Sequence, residues 1–172
     1  IIKVDSYQKQ EIIGETIDDA TGEVYDKVAR LMGLPYPGGV NLDKMAQKGN
    51  PKAYVLPKAR LQGEFDFSFS GLKTAVLNLT KKLTLDGSPL PKEDVAASFQ
   101  ECITSTLFGK TLKAAEKYNI KQIVLGGGVA ANSEIRNKFF ALREKGYKIY
   151  APAMKYCTDN ASMIASAAYF LT

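Results

Sequence analysis

A run of three glycines stands between a strand pattern and a helix pattern. Gly126, Gly127 and Gly128 follow the β-forming residues 123–125, and a helical pattern opens at Asn132. Glycine has no Cβ, so its backbone can approach a ligand closely. The free N–H groups at the start of a helix favour an anion by about 0.3–1 kcal/mol. The junction therefore predicts a phosphate-binding turn, although a short glycine motif is also typical of ordinary strand ends.

Two aspartates precede this turn in positions that suit ligand binding. Asp26 lies on a helix predicted from Asp18 to about Gly33, on a face shared with small and acidic residues, namely Asp19, Gly22 and Gly33. Asp43 follows the turn at residues 36–39 and falls in the first turn of a helix predicted over residues 42–48. Each carboxylate either stabilises the N-terminus of a helix and is exposed to solvent, or accepts hydrogen bonds from a ligand's vicinal hydroxyls. The sequence leaves both interpretations open.

A third aspartate precedes the last predicted helix. Asp159 stands in the stretch 157–160, where it either acts as a helix N-terminal acid or offers an oxygen ligand to a metal ion. The chain contains no histidine and no CxxC pair. The usual ligands of a transition-metal site are therefore not all present in this sequence.

The composition is typical of one globular domain. The 172 residues are 45% hydrophobic and 24% charged, and the net charge of +5 allows an anionic partner such as a nucleotide or RNA. Two cysteines offer no disulfide framework and suit a reducing cytosol. No signal peptide or membrane-spanning run is apparent, so we expect a soluble, cytoplasmic protein. The chain opens inside a strand pattern without methionine, which suggests a fragment.

The order of predicted elements indicates an α/β fold. A hairpin over residues 1–17 precedes the first helix, and alternating phenylalanines over residues 65–69 predict a half-buried strand. The C-terminal half then alternates between helices and strands. We expect helices over residues 72–83, 93–118, 132–142 and 160–171, strands over 123–125 and 148–151, and a linker over 84–91.

Four separated blocks of this sequence resemble the C-terminal half of the tRNA adenosine threonylcarbamoyltransferase family, long called O-sialoglycoprotein endopeptidase or glycoprotease. Together they cover almost the whole chain in the family's order. The blocks are residues 14–29 with Tyr36-Pro37-Gly38-Gly39, residues 65–74 (Phe-Asp-Phe-Ser-Phe-Ser-Gly-Leu-Lys-Thr), residues 126–132, and Cys157-Thr158-Asp159-Asn160-Ala161.

The resemblance implies a fold and a reaction. The family is similar to the actin, Hsp70 and sugar-kinase group, in which two α/β lobes close over a nucleotide. Residues 1–17 would be the last hairpin of the first lobe, and residues 18–172 would form the second, nucleotide-binding lobe. The implied acyltransferase reaction moves a threonylcarbamoyl group from threonylcarbamoyl-adenylate to N6 of adenosine 37 in tRNAs that read codons starting with A.

The resemblance also implies roles for individual residues. Asp159 would bind one divalent metal, iron or zinc, together with two histidines of the first lobe that this sequence lacks. tRNA and companion proteins of the same pathway would be partners, with no membrane involved. The adenylate, or ATP or ADP, would be held by Asp26, Gly39, Asp43 and Asn132, with Gly127 and Gly128 beside it.

Two alternatives remain at this point. The chain could be the ATP-binding lobe of a kinase-like relative, although the block at residues 65–71 argues against that. It could also be a non-catalytic binding lobe, because half a cleft is expected to be inactive in isolation. The peptidase activity in the family's older name is the least expected, since a chain without histidine has neither a metallopeptidase helix motif nor a Ser/His or Cys/His pair.

Overall fold

The computed structural model describes residues 1–171 and has the mixed α/β architecture expected from the sequence. Thr172, the last residue of the predicted second lobe, lies outside the described residues. The elements in chain order are strands β1 (Ile2–Ser6) and β2 (Lys9–Ile12), helices α1 (Thr21–Leu31), α2 (Gly38–Ala46), α3 (Ser70–Leu83) and α4 (Lys92–Lys117), strand β3 (Gln122–Val124), helix α5 (Ser133–Phe140), strand β4 (Lys148–Tyr150) and helix α6 (Ala161–Leu171).

The larger hydrophobic core lies between α1, α2, α3 and α4. The long helix α4 crosses this core, and the sequence predicted its bounds to within one residue. Its residues Phe99 and Ile103 are fully buried, as are Val24 and Val28 of α1. Leu42 of α2 packs into the same cluster. Since α1 and α2 are anchored on α4, polar side chains that face this junction are held on a rigid frame.

A second, smaller core forms around the parallel pair β3 and β4. Ile123 and Ile149 are partners in this ladder and are both buried. Phe139 and Leu142 cover them from α5 and from the short 3-10 turn that follows it, Ala141–Lys145. This arrangement presents the glycines after β3 beside the start of α5, as the strand-to-helix pattern predicted.

The predicted strand at residues 65–69 is wrong. Its phenylalanines, Phe65, Phe67 and Phe69, are buried as expected, but the segment makes only one bridge, a parallel pairing of Phe67 with Thr16. Alternation reports which side chains are buried; it does not supply a neighbouring strand to complete a ladder. The first strand pair also ends earlier than predicted, because β2 stops at Ile12.

Asp18 does not cap the first helix, as the sequence suggested. That helix begins at Thr21, and the Asp18 carboxylate instead accepts hydrogen bonds at the N-terminus of α3, from the Phe69 amide at 2.8 Å and the Ser70 amide at 3.3 Å. The hydroxyls of Ser68 and Ser70 donate to its other oxygen. Partial burial raises the pKa of Asp18, but these four hydrogen bonds outweigh it and hold the pKa at about 2.

We expect the substitution Asp18→Asn to lower the free energy of unfolding near pH 6 by about 0.5–1 kcal/mol, the lower part of the range for helix caps, because solvent screens this exposed carboxylate. The pKa is lowered from 3.8 to about 2, so the charge stabilises the fold above pH 3.8 and loses its effect as the pH falls toward 2. Urea denaturation of both proteins at each pH measures this. A difference between them that stays the same down to about pH 2 would contradict the assignment.

The last helix, α6, has little contact with the rest of the fold. Residues 161–170 of this helix are exposed, although many are apolar, including Met163 and Ile164. Tyr7 of the hairpin turn stacks on Phe170, with ring centroids 4.6 Å apart. Within residues 1–171, no helix combines the length and the apolar character needed to cross a bilayer.

Candidate functional site

The site begins where α1 meets the N-terminus of α2. The Asp26 carboxylate accepts a hydrogen bond from the Gly39 amide at 3.1 Å through Oδ1. Among the described residues its second oxygen has no hydrogen-bond partner, and the carboxylate makes no ion pair. Asp26 therefore caps α2 and still has an oxygen free to accept a ligand hydroxyl.

The predicted acidic face of α1 is only partly correct. Asp19 precedes the helix and pairs with Lys27 at 2.8 Å, and Gly33 lies beyond the helix end with a φ of 70°. Gly22 and Asp26 remain on one face, because residues four apart are neighbours on a helix. A Cβ at Gly22 would lie 3.7 Å from Val129 of the glycine turn. This face of α1 therefore borders the turn that follows β3.

Asp43 does not lie in the first turn of its helix. Because α2 begins at Gly38, Asp43 is in its second turn, one turn beyond Gly39. At that position its charge does not stabilise the N-terminus of its own helix. Its carboxylate instead meets the N-terminus of α5, where it accepts from the Ser133 amide at 3.2 Å and the Ser133 hydroxyl at 2.8 Å. Asp26 and Asp43 thus each cap the N-terminus of another helix.

Asn132 connects the glycine turn to Asp43. Its Oδ1 accepts from the Ile135 amide at 3.0 Å and so caps α5, and its Nδ2 donates to Asp43 Oδ1 at 3.2 Å. Gln100 of α4 joins them, with Nε2 2.8 Å from Asp43 Oδ1 and Oε1 2.9 Å from Asn132 Nδ2. Burial raises the pKa of Tyr25, so its phenol keeps its proton and donates to Gln100 Oε1 at 3.3 Å.

The glycine turn differs from the prediction in one respect. A 3-10 turn, Gly128–Ala131, begins at the third glycine and separates Gly126 and Gly127 from α5. Asp43 and Asn132 already occupy amides in the first turn of α5, so this end of the helix is not open to a phosphate. The amides of Gly126, Gly127 and Gly128 are exposed and donate no hydrogen bond to other residues in the range 1–171. Any anion contact here would come from these glycine amides.

Gly127 is the glycine whose backbone requires the residue type. Its φ of 79° lies in the left-handed region, where a Cβ would be strained. Gly128 starts the 3-10 turn, and the amide of Ala130 closes it by donating to Gly127 at 3.0 Å. The turn therefore has a defined backbone conformation at the glycine amides.

Asp159 lies apart from these residues. It is exposed in the loop before α6, and Asn160 rather than Asp159 caps that helix by accepting from the Met163 amide at 3.0 Å. In the described part of the chain, Asp159 makes no hydrogen bond or ion pair, and no three metal-ligating side chains come together. The residues present thus offer one open carboxylate and no complete metal site.

Arg136 links the glycine turn to the segment before Asp159. Its guanidinium donates to the carbonyls of Ala130 and Pro152, each at 2.6 Å, and to Cys157 Sγ at 3.2 Å. Cys157 is buried and, like Cys102, is not in a disulfide. The turn and the 152–157 segment are therefore held at a fixed separation by one side chain of α5.

The structure brings together most of the residues that the sequence indicated. Asp26 contacts Gly39, and Asp43 contacts Asn132, while Asp159 touches none of them. The sequence did not indicate Tyr25, Gln100 or Ser133. The one available signal was Gln100, a polar residue inside the apolar pattern of α4, where it is 2% exposed.

The two adjacent glycines at the start of α2 differ in how closely they are packed. A Cβ at Gly38 would lie 2.7 Å from the Ala29 Cβ and 2.8 Å from Asp26 Oδ1, whereas a Cβ at Gly39 would be 3.8 Å from the Tyr25 Cβ. We expect Gly38→Ala to lower the free energy of unfolding by about 1–3 kcal/mol, because the side chain overpacks the junction. Gly39→Ala should fit and change stability by less than about 1 kcal/mol.

Thermal unfolding of the two variants beside the unsubstituted chain measures both effects. Equal losses of stability in Gly38→Ala and Gly39→Ala would show that the α1–α2 junction is not packed as described.

Comparison with known proteins identifies relatives along most of the chain. The model of the TsaD family, tRNA N6-adenosine threonylcarbamoyltransferase, matches residues 1–166. The protein of that name from Mesoplasma florum is 51% identical over 169 residues, which is 96% of this chain and 53% of the relative. The one from Bacillus subtilis is 52% identical over 161 residues, 91% of this chain and 46% of the relative. The chain thus spans about half the length of these relatives.

Solved structures show a similar fold. The crystal structure of HypF from T. kodakarensis superposes with a TM-score of 0.65 at 21% identity, covering 89% of this chain and 20% of that protein. A full-length HypF in its phosphate- and nucleotide-bound form gives a TM-score of 0.57 at 16% identity, covering 81% of this chain and 18% of that protein. At these identities the likeness concerns the α/β fold.

Proposed function

Because this chain belongs to the tRNA N6-adenosine threonylcarbamoyltransferase family, we propose that it is the C-terminal half of such an enzyme. In this proposal residues 18–172 are the second, nucleotide-binding lobe of a two-lobed fold of the actin, Hsp70 and sugar-kinase type. Residues 1–17 are the terminal hairpin of the first lobe. The family match and the names of the relatives support the transferase rather than the kinase-like alternative.

The proposed substrate is threonylcarbamoyl-adenylate, and the observation that carries the proposal is that candidate residues from separate parts of the chain meet in one site. Asp26 contacts Gly39 at 3.1 Å, and one helical turn further along α2, Asp43 contacts Asn132 at 3.2 Å. Neither carboxylate is neutralised by a cation in the described chain, and the second oxygen of each is open or accepts a single bond. Such acceptors suit the hydroxyls of a ribose.

The remaining candidate residues take complementary roles. The amides of Gly127 and Gly128 face the phosphate of the adenylate, because they are exposed donors without partners among residues 1–171. The Gly39 backbone lies against the nucleoside, where a larger residue would crowd it. Asn132 lies between the glycine turn and Asp43, and its side-chain amide donates to the Asp43 carboxylate. These contacts hold the nucleotide and leave its acyl group free to react.

The reaction requires the tRNA adenine beside the bound adenylate. The N6 amine of adenosine 37 attacks the carbamoyl carbon, a C–N bond forms, and the bond from that carbon to the phosphate oxygen breaks. AMP leaves with the bonding electron pair, and the amine loses a proton. This chain contributes by positioning the leaving nucleotide and by offering amide donors to the charge that develops on its phosphate.

A divalent metal, iron or zinc, belongs to the proposal only through Asp159. Its exposed carboxylate is a suitable single oxygen ligand, and a Lewis acid bound there would polarise a phosphate or carbonyl oxygen. The donor set in residues 1–171 does not fit a complete site, because iron and zinc prefer several nitrogen or sulfur ligands. Further ligands would have to come from outside this chain.

The proposal also includes tRNA and companion proteins of the pathway as partners, and a cytoplasmic location.

Threonine transfer tests the proposed function. We suggest fusing this chain to the N-terminal half of the Bacillus subtilis relative and supplying threonylcarbamoyl-adenylate made with labelled threonine. The expected result is label in an unmodified tRNA with adenosine at position 37 and none in the same tRNA with guanosine there. Absence of label from both tRNAs, with the fusion folded, would contradict the proposal.

A further inference from the structure

The buried amide of Gln100 contacts two residues of the candidate site, Asp43 and Asn132. Gln100 lies in the middle of α4 and is 2% exposed. Its Nε2 donates to Asp43 of α2 at 2.8 Å, and its Oε1 accepts from Asn132, before α5, at 2.9 Å. The Tyr25 hydroxyl of α1 donates to the same Oε1 at 3.3 Å. One side chain of α4 therefore contacts polar groups from three other segments.

The hydrogen bonds around Gln100 permit one orientation of each amide. Asn132 Oδ1 is already committed to the Ile135 amide, so its Nδ2 must face Gln100 Oε1 and Asp43. Gln100 must then direct Nε2 toward the Asp43 carboxylate, since the reversed amide would set an oxygen against a carboxylate oxygen. The arrangement fixes the rotation of both Asp43 and Asn132.

We propose that Gln100 is a positioning residue of the adenylate site. It does not touch the nucleotide. It holds the side chains of Asp43 and Asn132 in the orientation in which they bind the nucleotide. The inference rests on the proposed function, because the ligand is the adenylate of that reaction. Burial keeps water from replacing the amide, so its loss leaves the Tyr25 hydroxyl without its acceptor and removes one hydrogen bond each from Asp43 and Asn132.

Ser98 provides a matched control on the same helix. It is also 2% exposed, and its hydroxyl accepts from the Tyr54 amide at 3.1 Å and donates to the Asn50 carbonyl at 3.4 Å. These partners lie in the connection after α2 and not among the candidate site residues. Ser98→Ala therefore removes a buried polar group of α4 without disturbing Asp43 or Asn132.

The first test measures the affinity of the fusion protein for AMP, the nucleotide product of the proposed reaction. Gln100→Leu is expected to raise the Kd for AMP about tenfold or more, whereas Ser98→Ala leaves it within about twofold. In Gln100→Glu, burial and Asp43 raise the pKa of the introduced carboxyl, which resembles the amide only when protonated. The rate of threonine transfer by Gln100→Glu should therefore recover as the pH falls from about 8 to about 6.

A second measurement is independent of the proposed function. In ¹⁵N NMR spectra of the 172-residue chain, Gln100→Leu should shift the side-chain amide signals of Asn132 and increase their mobility, and Ser98→Ala should leave them unchanged. Unchanged Asn132 signals in Gln100→Leu would overturn the positioning role even if transfer and AMP binding were absent. Changed Asn132 signals with an unaltered Kd for AMP would also overturn it, because the oriented groups would then not serve the nucleotide.

Discussion

The 172-residue chain alone is expected to transfer no threonylcarbamoyl group to tRNA. In the proposed function, acyl-adenylate, metal and tRNA adenine meet in one cleft, and such positioning lowers a barrier by several kcal/mol only when both lobes that form the cleft are present. Residues 1–171 contain no group of three metal-ligating side chains, and the chain spans about half of its relatives. Fusion to the N-terminal half of a relative should restore transfer.

Incorporation of labelled threonine into unmodified tRNA measures this difference. The isolated chain must first be shown to be folded by its circular dichroism and cooperative unfolding. Turnover by the folded chain alone would show that ligands and surfaces outside this sequence are dispensable, and the two-lobed mechanism would be wrong for this protein.

Replacement of Asn132 by serine is expected to weaken the binding of AMP to the fusion protein by about 1–3 kcal/mol and to lower the free energy of unfolding by about 1 kcal/mol, because buried hydrogen bonds are lost while the helix cap is kept. Serine is a good N-cap and can keep the bond to the Ile135 amide, but it lacks the amide group that donates to Asp43 and Gln100. Calorimetric titration with AMP and thermal unfolding measure the two quantities.

The matched control for this variant is Asn160→Ser. Asn160 caps α6 as Asn132 caps α5, accepting from the Met163 amide at the same distance of 3.0 Å. It should leave AMP binding unchanged. Equal affinities of the Asn132→Ser and unsubstituted proteins would mean that Asn132 only caps its helix.

The sequence predicts the buried helix α4 well, and it indicates several residues that lie together in the candidate site. Helix α4 was predicted to within one residue because its apolar pattern is long, and Asp26, Asp43 and Asn132 were singled out from their neighbours. The capping partners were not predictable. Whether Asp43 caps its own helix or α5 depends on how α2 packs on α4, and that packing joins residues far apart in the chain.

The errors have the same physical origin. The position of Asp18 before α1 suggests an N-cap, yet its carboxylate accepts from the Phe69 and Ser70 amides at the start of α3. The phenylalanine alternation at residues 65–69 recorded burial correctly but gave no information about a partner strand. A single polar residue in a helix pattern usually marks an exposed position, so the pattern does not predict that Gln100 is buried; here Asp43, Asn132 and Tyr25 satisfy its amide.

The central claim is that the site formed by α1, α2 and the glycine turn holds the nucleotide. Titration of the ¹⁵N-labelled fusion protein with AMP tests it most directly, because each backbone amide reports separately. We predict that the largest chemical-shift changes occur at Gly39, Gly127 and Gly128, with the Asn132 side-chain amide. The claim would be contradicted if these signals stayed unchanged at saturation with AMP. It would also be contradicted if the largest shifts fell on residues of a separate groove, the one lined by Phe67 and Lys110.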